Sequence, residues 1–226
     1  MRPAAGPLLA ALLALPAAAN AAGGAHVIDD SEVEQAGHCH LELWASAYSH
    51  GNGLANVGPA CTPARMANLE IDGFIAHYAP PHARAQTSIG LGPKVTLRPM
   101  STGFGIAVEG YASLDTRTGR PTVVTVAVPF SLPVGPRWTI NLNVGTTWVR
   151  GVQGLTPTGG GQLVYAPATG PSAMVEVFRQ GSAPVGGQAG LRWTVADGRI
   201  DLDLLVGRYV DGVSPRAMTL GLTIQR

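Results

Sequence analysis

From residue 137 to residue 150 the chain reads RWTINLNVGTTWVR, and apolar and polar positions alternate. One face carries Trp138, Ile140, Leu142, Val144, Thr146 and Trp148; the other carries Thr139, Asn141, Asn143, Gly145, Thr147 and Val149. A period of two predicts a β-strand whose faces meet different surroundings. The two tryptophans share the apolar face, ten residues apart, each close to an arginine (Arg137, Arg150). Ten residues of strand span roughly 33 Å, which a tilt of about 40° projects to roughly 25 Å. That is the height of the apolar band of an outer-membrane barrel, with Trp at both interfaces.

Further segments repeat the pattern. In 68–78, Leu69, Ile71 and Ile75 oppose Glu70, Asp72 and Phe74; in 87–98, Ile89, Leu91, Val95 and Leu97 oppose Lys94, Thr96 and Arg98. In 104–115, Ile106, Val108 and Leu114 oppose Glu109, Tyr111 and Ser113; in 122–131, Val124, Val126 and Val128 oppose Thr125, Ala127 and Ser131. Segments 173–178, 187–195, 200–207 and 218–225 continue it, the second with Trp193 on its apolar face, while 162–166 is short and ambiguous. Short turns (133–136, 169–171, 196–198) alternate with longer connections (150–159, 180–185, 208–216), as an up-and-down meander requires. The pattern predicts an all-β fold, a transmembrane antiparallel meander barrel of about ten strands, with twelve as the alternative. Segment 39–49 (CHLELWASAYS) also alternates but falls outside an even count, and 49–63 (SHGNGLANVGPACTP) reads as loop. Acidic residues 26–37 read as a mobile periplasmic leader.

Composition narrows the class. The 226 residues are 46% hydrophobic and 13% charged, with 30 Gly, 18 Pro and a formal charge of +1, so neither nucleic acid nor an anionic surface is an expected partner. No run of about 18 apolar residues follows the first twenty, so a membrane form has to be a closed barrel. Arg2, the apolar run 8–15 and Ala19-Asn20-Ala21 form a secretory signal, cleaved after Ala21 or Ala22. The expected organisation is a signal peptide (1–21), a periplasmic leader with a cysteine-bearing hairpin (22–66), and an outer-membrane barrel (67–226). A soluble periplasmic β-sandwich would alternate in the same way.

The runs GPKVTLRPMSTGFGIAVEGYASLD and TVAVPFSLPVGPRWTINLNVGTTW, with the blocks GQAGLRWTVADGRIDLDLLVGRYVDG and AMTLGLTIQR, resemble small proteobacterial outer-membrane barrels of unknown function. These barrels are loosely similar to the channel proteins encoded beside aromatic-degradation pathways. The resemblance implies an outer-membrane barrel in contact with outer-membrane lipid and delivered by the barrel-insertion machinery. It supplies no catalytic motif. One departure is the C-terminus, which ends LTIQR where such barrels usually carry a terminal aromatic.

Candidate chemistry is sparse. Cys39 and Cys61 are the only cysteines of a secreted chain, and a structural disulfide is favoured over a metal cluster with His38, His40, His26 or His50. Adjacent strand residues face opposite ways, so Cys39 cannot easily share a metal with His38 or His40; no metal and no cofactor are expected. Glu70, Asp72, Glu109, Glu176, Asp201 and Asp203 fall on the inferred inner faces, with Lys94, Arg98 and Arg192 and with Tyr111, Asn141, Asn143 and Gln188. A buried carboxylate has to pair, hydrate or bind something. A salt-bridged filling of a narrow barrel and a thin, acid-biased pore both answer that need. Trp138, Trp148 and Trp193 are expected at the membrane interfaces. Dispersed His77, His82, Ser88 and Glu109 are the only hint of a lipid-modifying enzyme, and no enzyme is expected. The functional expectation is a narrow channel or uptake protein for small polar solutes; a closed structural or adhesion barrel is the alternative.

Overall fold

Segments that alternate apolar and polar residues become strands because only a strand sends successive side chains to opposite faces. The computed structural model describes residues 25–226, so the expected signal peptide lies outside the described residues. Twelve strands follow in order: β1 (Cys39–Tyr48), β2 (Gly53–Cys61), β3 (Leu69–Ala79), β4 (Gln86–Arg98), β5 (Gly105–Asp115), β6 (Pro121–Val134), β7 (Trp138–Val149), β8 (Thr156–Tyr165), β9 (Ser172–Gln180), β10 (Gly186–Val195), β11 (Ile200–Arg208) and β12 (Ala217–Gln225). Each pairs antiparallel with its sequence neighbours, and β1 closes the ring on β12 from His40↔Gln225 to Tyr48↔Ala217. Closure leaves no sheet edge with open N–H and C=O groups, which hydrocarbon could not solvate.

The barrel has twelve strands, the alternative count, not ten, and the two additional ones are β1 and β2. Both lie in the part of the chain set apart from the barrel by sequence. Gly, Asn and Pro give β2 (GLANVGPAC) the composition of a loop. Its ladder to β3 runs to Val57↔Ile75, lapses at Gly58 and Pro59, and resumes at Ala60↔Asp72. Proline has no N–H to give there. The barrel tolerates the gap because β2 is fully in register with β1 from Cys39↔Cys61 to Ala47↔Gly53. The ambiguous segment 162–166 is the end of β8, which begins at Thr156 and runs through Gly159-Gly160-Gly161. The connection before it therefore shrinks to 150–155, and the longest connection, 209–216, has eight residues.

The outward face of the barrel is apolar. Val57, Ile71, Ile75, Leu91, Leu97, Val126, Leu142, Val144, Val177, Val206 and Leu220 are all exposed. A belt of this extent around a whole molecule is a lipid-facing surface. Trp138 and Trp193 are exposed near the end of the barrel that holds both β1's start and β12's end, and half-buried Trp148 lies toward the other. Trp138 packs on Tyr165 with ring centroids 4.6 Å apart. Trp44 differs: it faces inward and packs against Ala25, Met174 and Leu205.

Cys39 and Cys61 form a disulfide across directly opposed positions of β1 and β2. Cys39 also exchanges both backbone hydrogen bonds with Arg226 (3.3 and 2.9 Å), so the covalent link sits on the seam where the ring closes. A Cys39→Ser/Cys61→Ser barrel is expected to lose about 3 kcal/mol of stability. The check is its denaturant midpoint in lipid bilayers against that of the parent; equal midpoints would show that the link does not restrain the seam.

Candidate functional site

The inner wall is polar because its strands alternate, and the leader is what satisfies it. Residues 25–35 are not a mobile segment outside the barrel. They run inside it, from the mouth where β1 starts to about half the barrel's height. The physical reason is the wall itself: its buried carboxylates, amides and hydroxyls need partners, and the leader supplies them.

The order of contacts along the leader follows the height of the wall. At the mouth, Glu34 N donates to Glu70 Oε2 (2.9 Å) and Met100 N donates to Glu32 Oε1 (2.6 Å). His40 Nδ1 donates to Glu34 Oε1 at 3.1 Å, with Glu42 Oε1 3.4 Å from its other ring nitrogen. One step deeper, Ser31 N donates to Ser131 Oγ (2.9 Å) and Thr96 Oγ1 donates to Ser31 O (2.7 Å). Next, Lys94 Nζ bonds Asp29 Oδ2 at 2.8 Å and lies 3.6 Å from Asp30 Oδ1. The Asn143 amide, oriented to satisfy both groups, donates to Asp29 O (2.8 Å) and accepts from Asp29 N (2.9 Å).

The leader ends on a hub at Glu176. Its Oε1 accepts from His26 Nδ1 (3.0 Å) and Gln162 Nε2 (2.6 Å), and its Oε2 accepts from Val27 N (3.2 Å) and Gln188 Nε2 (2.8 Å). Gln188 also donates to Ala25 O at 3.1 Å, and Asn141 donates to Gln162 Oε1 at 2.6 Å. The side chains of His26 and Glu176 are 1% and 0% exposed, so the pair is dry. Beside it, Arg192 binds both oxygens of Asp203 (2.8 Å each), and Thr194 Oγ1 donates to Asp201 Oδ1 at 2.5 Å. His26 Nε2 is buried without a hydrogen bond, 3.9 Å from Asp203 Oδ2.

Two wall glycines give the leader room. A Cβ on Gly105 would run into Ser31 Oγ, and one on Gly160 would lie 2.6 Å from Ile28 Cδ1. Ile28 is 2% exposed and is the one large apolar side chain that the leader buries.

Glu70, Lys94, Asn141, Asn143, Glu176, Arg192 and Asp203 thus join a network with the leader or with each other, while Asp201 is held by Thr194. Asp72 and Glu109 face the same interior, Glu109 directly opposite Lys94. Arg98 stacks on the Phe104 ring (3.6 Å to its centroid) and holds Thr102 at the mouth, away from that network. Tyr111 lies above the leader, edge-on to Phe74 at 5.8 Å and 41% exposed. His26, Asp29, Ser31 and Glu34, all in the leader, were not among the expected site residues. Their only trace in sequence is an acidic run with no opposing charge nearby. His77 is exposed and bonded to Thr87, whereas Ser88 and Glu109 face inward, so the dispersed enzyme set does not assemble.

Burial opposes a charge on His26, but Asp203 and Glu176 outweigh it and, despite Arg192, raise its pKa above the ordinary 6.5. The hydrogen bond from His40 holds Glu34 below its ordinary 4.5, against burial. The His26 contribution is complete below pH 6.5 and fades as pH rises through the docked value. The Glu34 contribution is complete above pH 4.5 and fades as pH falls through its docked value. The leader is therefore held best between these two values. An NMR titration of the His26 imidazole in lipid nanodiscs should give a midpoint above 6.5, moving down in Glu176→Gln. A midpoint untouched by that substitution would rule out the pairing.

The architecture is shared with solved channels. The fold is similar to a KdgM porin (TM-score 0.65, 8% identity, covering 82% of this chain and 98% of that one). It is also similar to a KdgM porin in complex with disordered oligogalacturonate (0.63, 9%, 82% and 97%). A third likeness is to the COG4313 outer membrane channel from Pseudomonas putida F1 (0.60, 11%, 87% and 98%). At these identities the likeness is one of fold. No curated protein matches the sequence. A family model does match, over residues 10–226, and the chain accordingly belongs to the family described as Uncharacterised conserved protein UCP029691.

Proposed function

We propose that this protein is an outer-membrane channel for small polar solutes, made by cleavage after Ala21 or Ala22 and inserted with both ends of the barrel chain in the periplasm. One observation carries the reading: a closed twelve-strand ring that is apolar outside and charged or hydroxyl-bearing inside. An inner wall built only to fill space is better made of apolar side chains, because each buried charge must recover its lost hydration. Above the leader the wall is lined by hydroxyl pairs, Ser46–Thr219 (2.6 Å), Ser113–Thr122 (2.7 Å) and Thr125–Thr147 (2.9 Å), and by the exposed Tyr111. Such a surface exchanges hydrogen bonds with a passing polar solute. Trp138 and Trp193 would sit at the periplasmic interface and Trp148 at the outer one. The fold of the similar porins supports the same reading.

A closed structural barrel is the second reading, favoured by the dry His26–Glu176 contact that fills the middle of the lumen. Solute efflux separates the two. Liposomes loaded with a radiolabelled pentose and carrying the barrel without residues 25–35 should empty at a rate proportional to protein load. Retention of the pentose by liposomes whose barrels run as folded, heat-modifiable species would leave the structural reading standing.

A further inference from the structure

We infer that the leader occupies, in cis, the path of a cationic solute. His26 sits between Glu176 and Asp203 where the ammonium of a small organic cation would be held, and withdrawal of residues 25–35 opens a cation-selective lumen. This inference rests on the channel reading above.

Three observations support it. First, the leader is not part of the wall. All twelve ladders close without it. Its own N–H groups at Val27, Ser31 and Glu34 go to the side chains of Glu176, Ser131 and Glu70. Removing it therefore breaks side-chain contacts and leaves the ring of backbone hydrogen bonds whole. Its only exit without crossing the middle of the barrel is the mouth through which it enters, beside Cys39.

Second, the charge left behind is negative on balance. The wall contributes Glu42, Glu70, Asp72, Glu109, Glu176, Asp201 and Asp203 to the interior, seven carboxylates, against Lys94, Arg192 and, at the mouth, His40. Asp29, which now neutralises Lys94, leaves with the leader, and Glu109 faces Lys94 from the next strand. Carboxylates spread around a narrow pore select cations. A ligand of the kind named for the similar KdgM complex, an oligogalacturonate, is itself polyanionic and would be repelled by such a wall.

Third, the position of His26 shows what the wall accepts. It is a nitrogen cation acceptor with Glu176 on one side and the Arg192-bound Asp203 on the other; Gln162 shares Oε1 of Glu176 with His26, and Gln188 donates to Oε2. His26 fits it incompletely, since Nε2 makes no hydrogen bond at 3.9 Å from Asp203. An ammonium has three donors free to rotate and can reach both carboxylates.

The test is recording from planar bilayers under a potassium chloride gradient, with ethanolamine hydrochloride as the organic cation. Five proteins are compared: the mature chain, the chain without residues 25–35, the same leaderless chain with Glu176→Gln/Asp203→Asn, a Ser31→Cys/Ser131→Cys chain oxidised to lock the leader, and Gly105→Val, which displaces Ser31 without shortening the chain. The leaderless and Gly105→Val barrels should conduct at least tenfold more often than the locked one, with a reversal potential of cation sign. Ethanolamine should reduce their potassium current, and Glu176→Gln/Asp203→Asn in the leaderless barrel should abolish that block and move the reversal potential toward zero. Currents that are anion-selective or unselective would overturn the inference and leave the channel reading intact. Equal conductance of locked and leaderless barrels would overturn the leader's part in it. Silence from every folded variant would instead remove the channel reading itself.

Discussion

Every backbone N–H and C=O that faces hydrocarbon must find its partner within the protein, and all other features of this molecule follow from that demand. A sheet meets it only by closing on itself. Closure here falls on β1, which pairs with β12 on one side and β2 on the other. The disulfide to Cys61 and the paired hydrogen bonds to Arg226 gather at its first residue. A seam that opened there would expose two strand edges to lipid at once.

Closing the ring creates a second problem inside it. Alternation that turns Val, Leu and Ile to the lipid turns Glu, Asp, Asn and Gln inward, where they need polar partners. The leader resolves this by running down the lumen to the mouth where β1 begins, matching Glu176 with His26, Lys94 with Asp29 and Glu70 with the Glu34 amide. Charged hydrogen bonds in a dry interior are individually strong, yet each also carries a large desolvation cost. An interior of this kind is held by many matched contacts and by little apolar burial. Such a balance lets a short segment be both well ordered and separable from the wall.

Much of the barrel is legible in the sequence by the period-two rule alone. Strand β7 with its two tryptophans, and β3 to β6 and β9 to β12, place their apolar residues outward as the alternation demands. The inward carboxylates are legible by the same rule. Strand β2 is not, because its residues are Gly, Asn and Pro; it is a strand owing to the partners on either side, and its ladder lapses where Pro59 has no N–H. Three consecutive glycines hid most of β8 for a similar reason, since a glycine carries no side chain to mark a face.

What the sequence by itself determined is the class of structure and the sign of each face: periodicity is a local property, written into every pair of neighbouring residues. What only the tertiary structure decided is the number of strands and the place of the leader. Both depend on contacts between residues far apart in the chain, such as His26 with Glu176 and Cys39 with Arg226. A polar acidic stretch looks the same in sequence whether water or a ring of buried acceptors and cations surrounds it. The closed wall decides which, because only there do Lys94, Ser131 and Glu176 come to line a single passage.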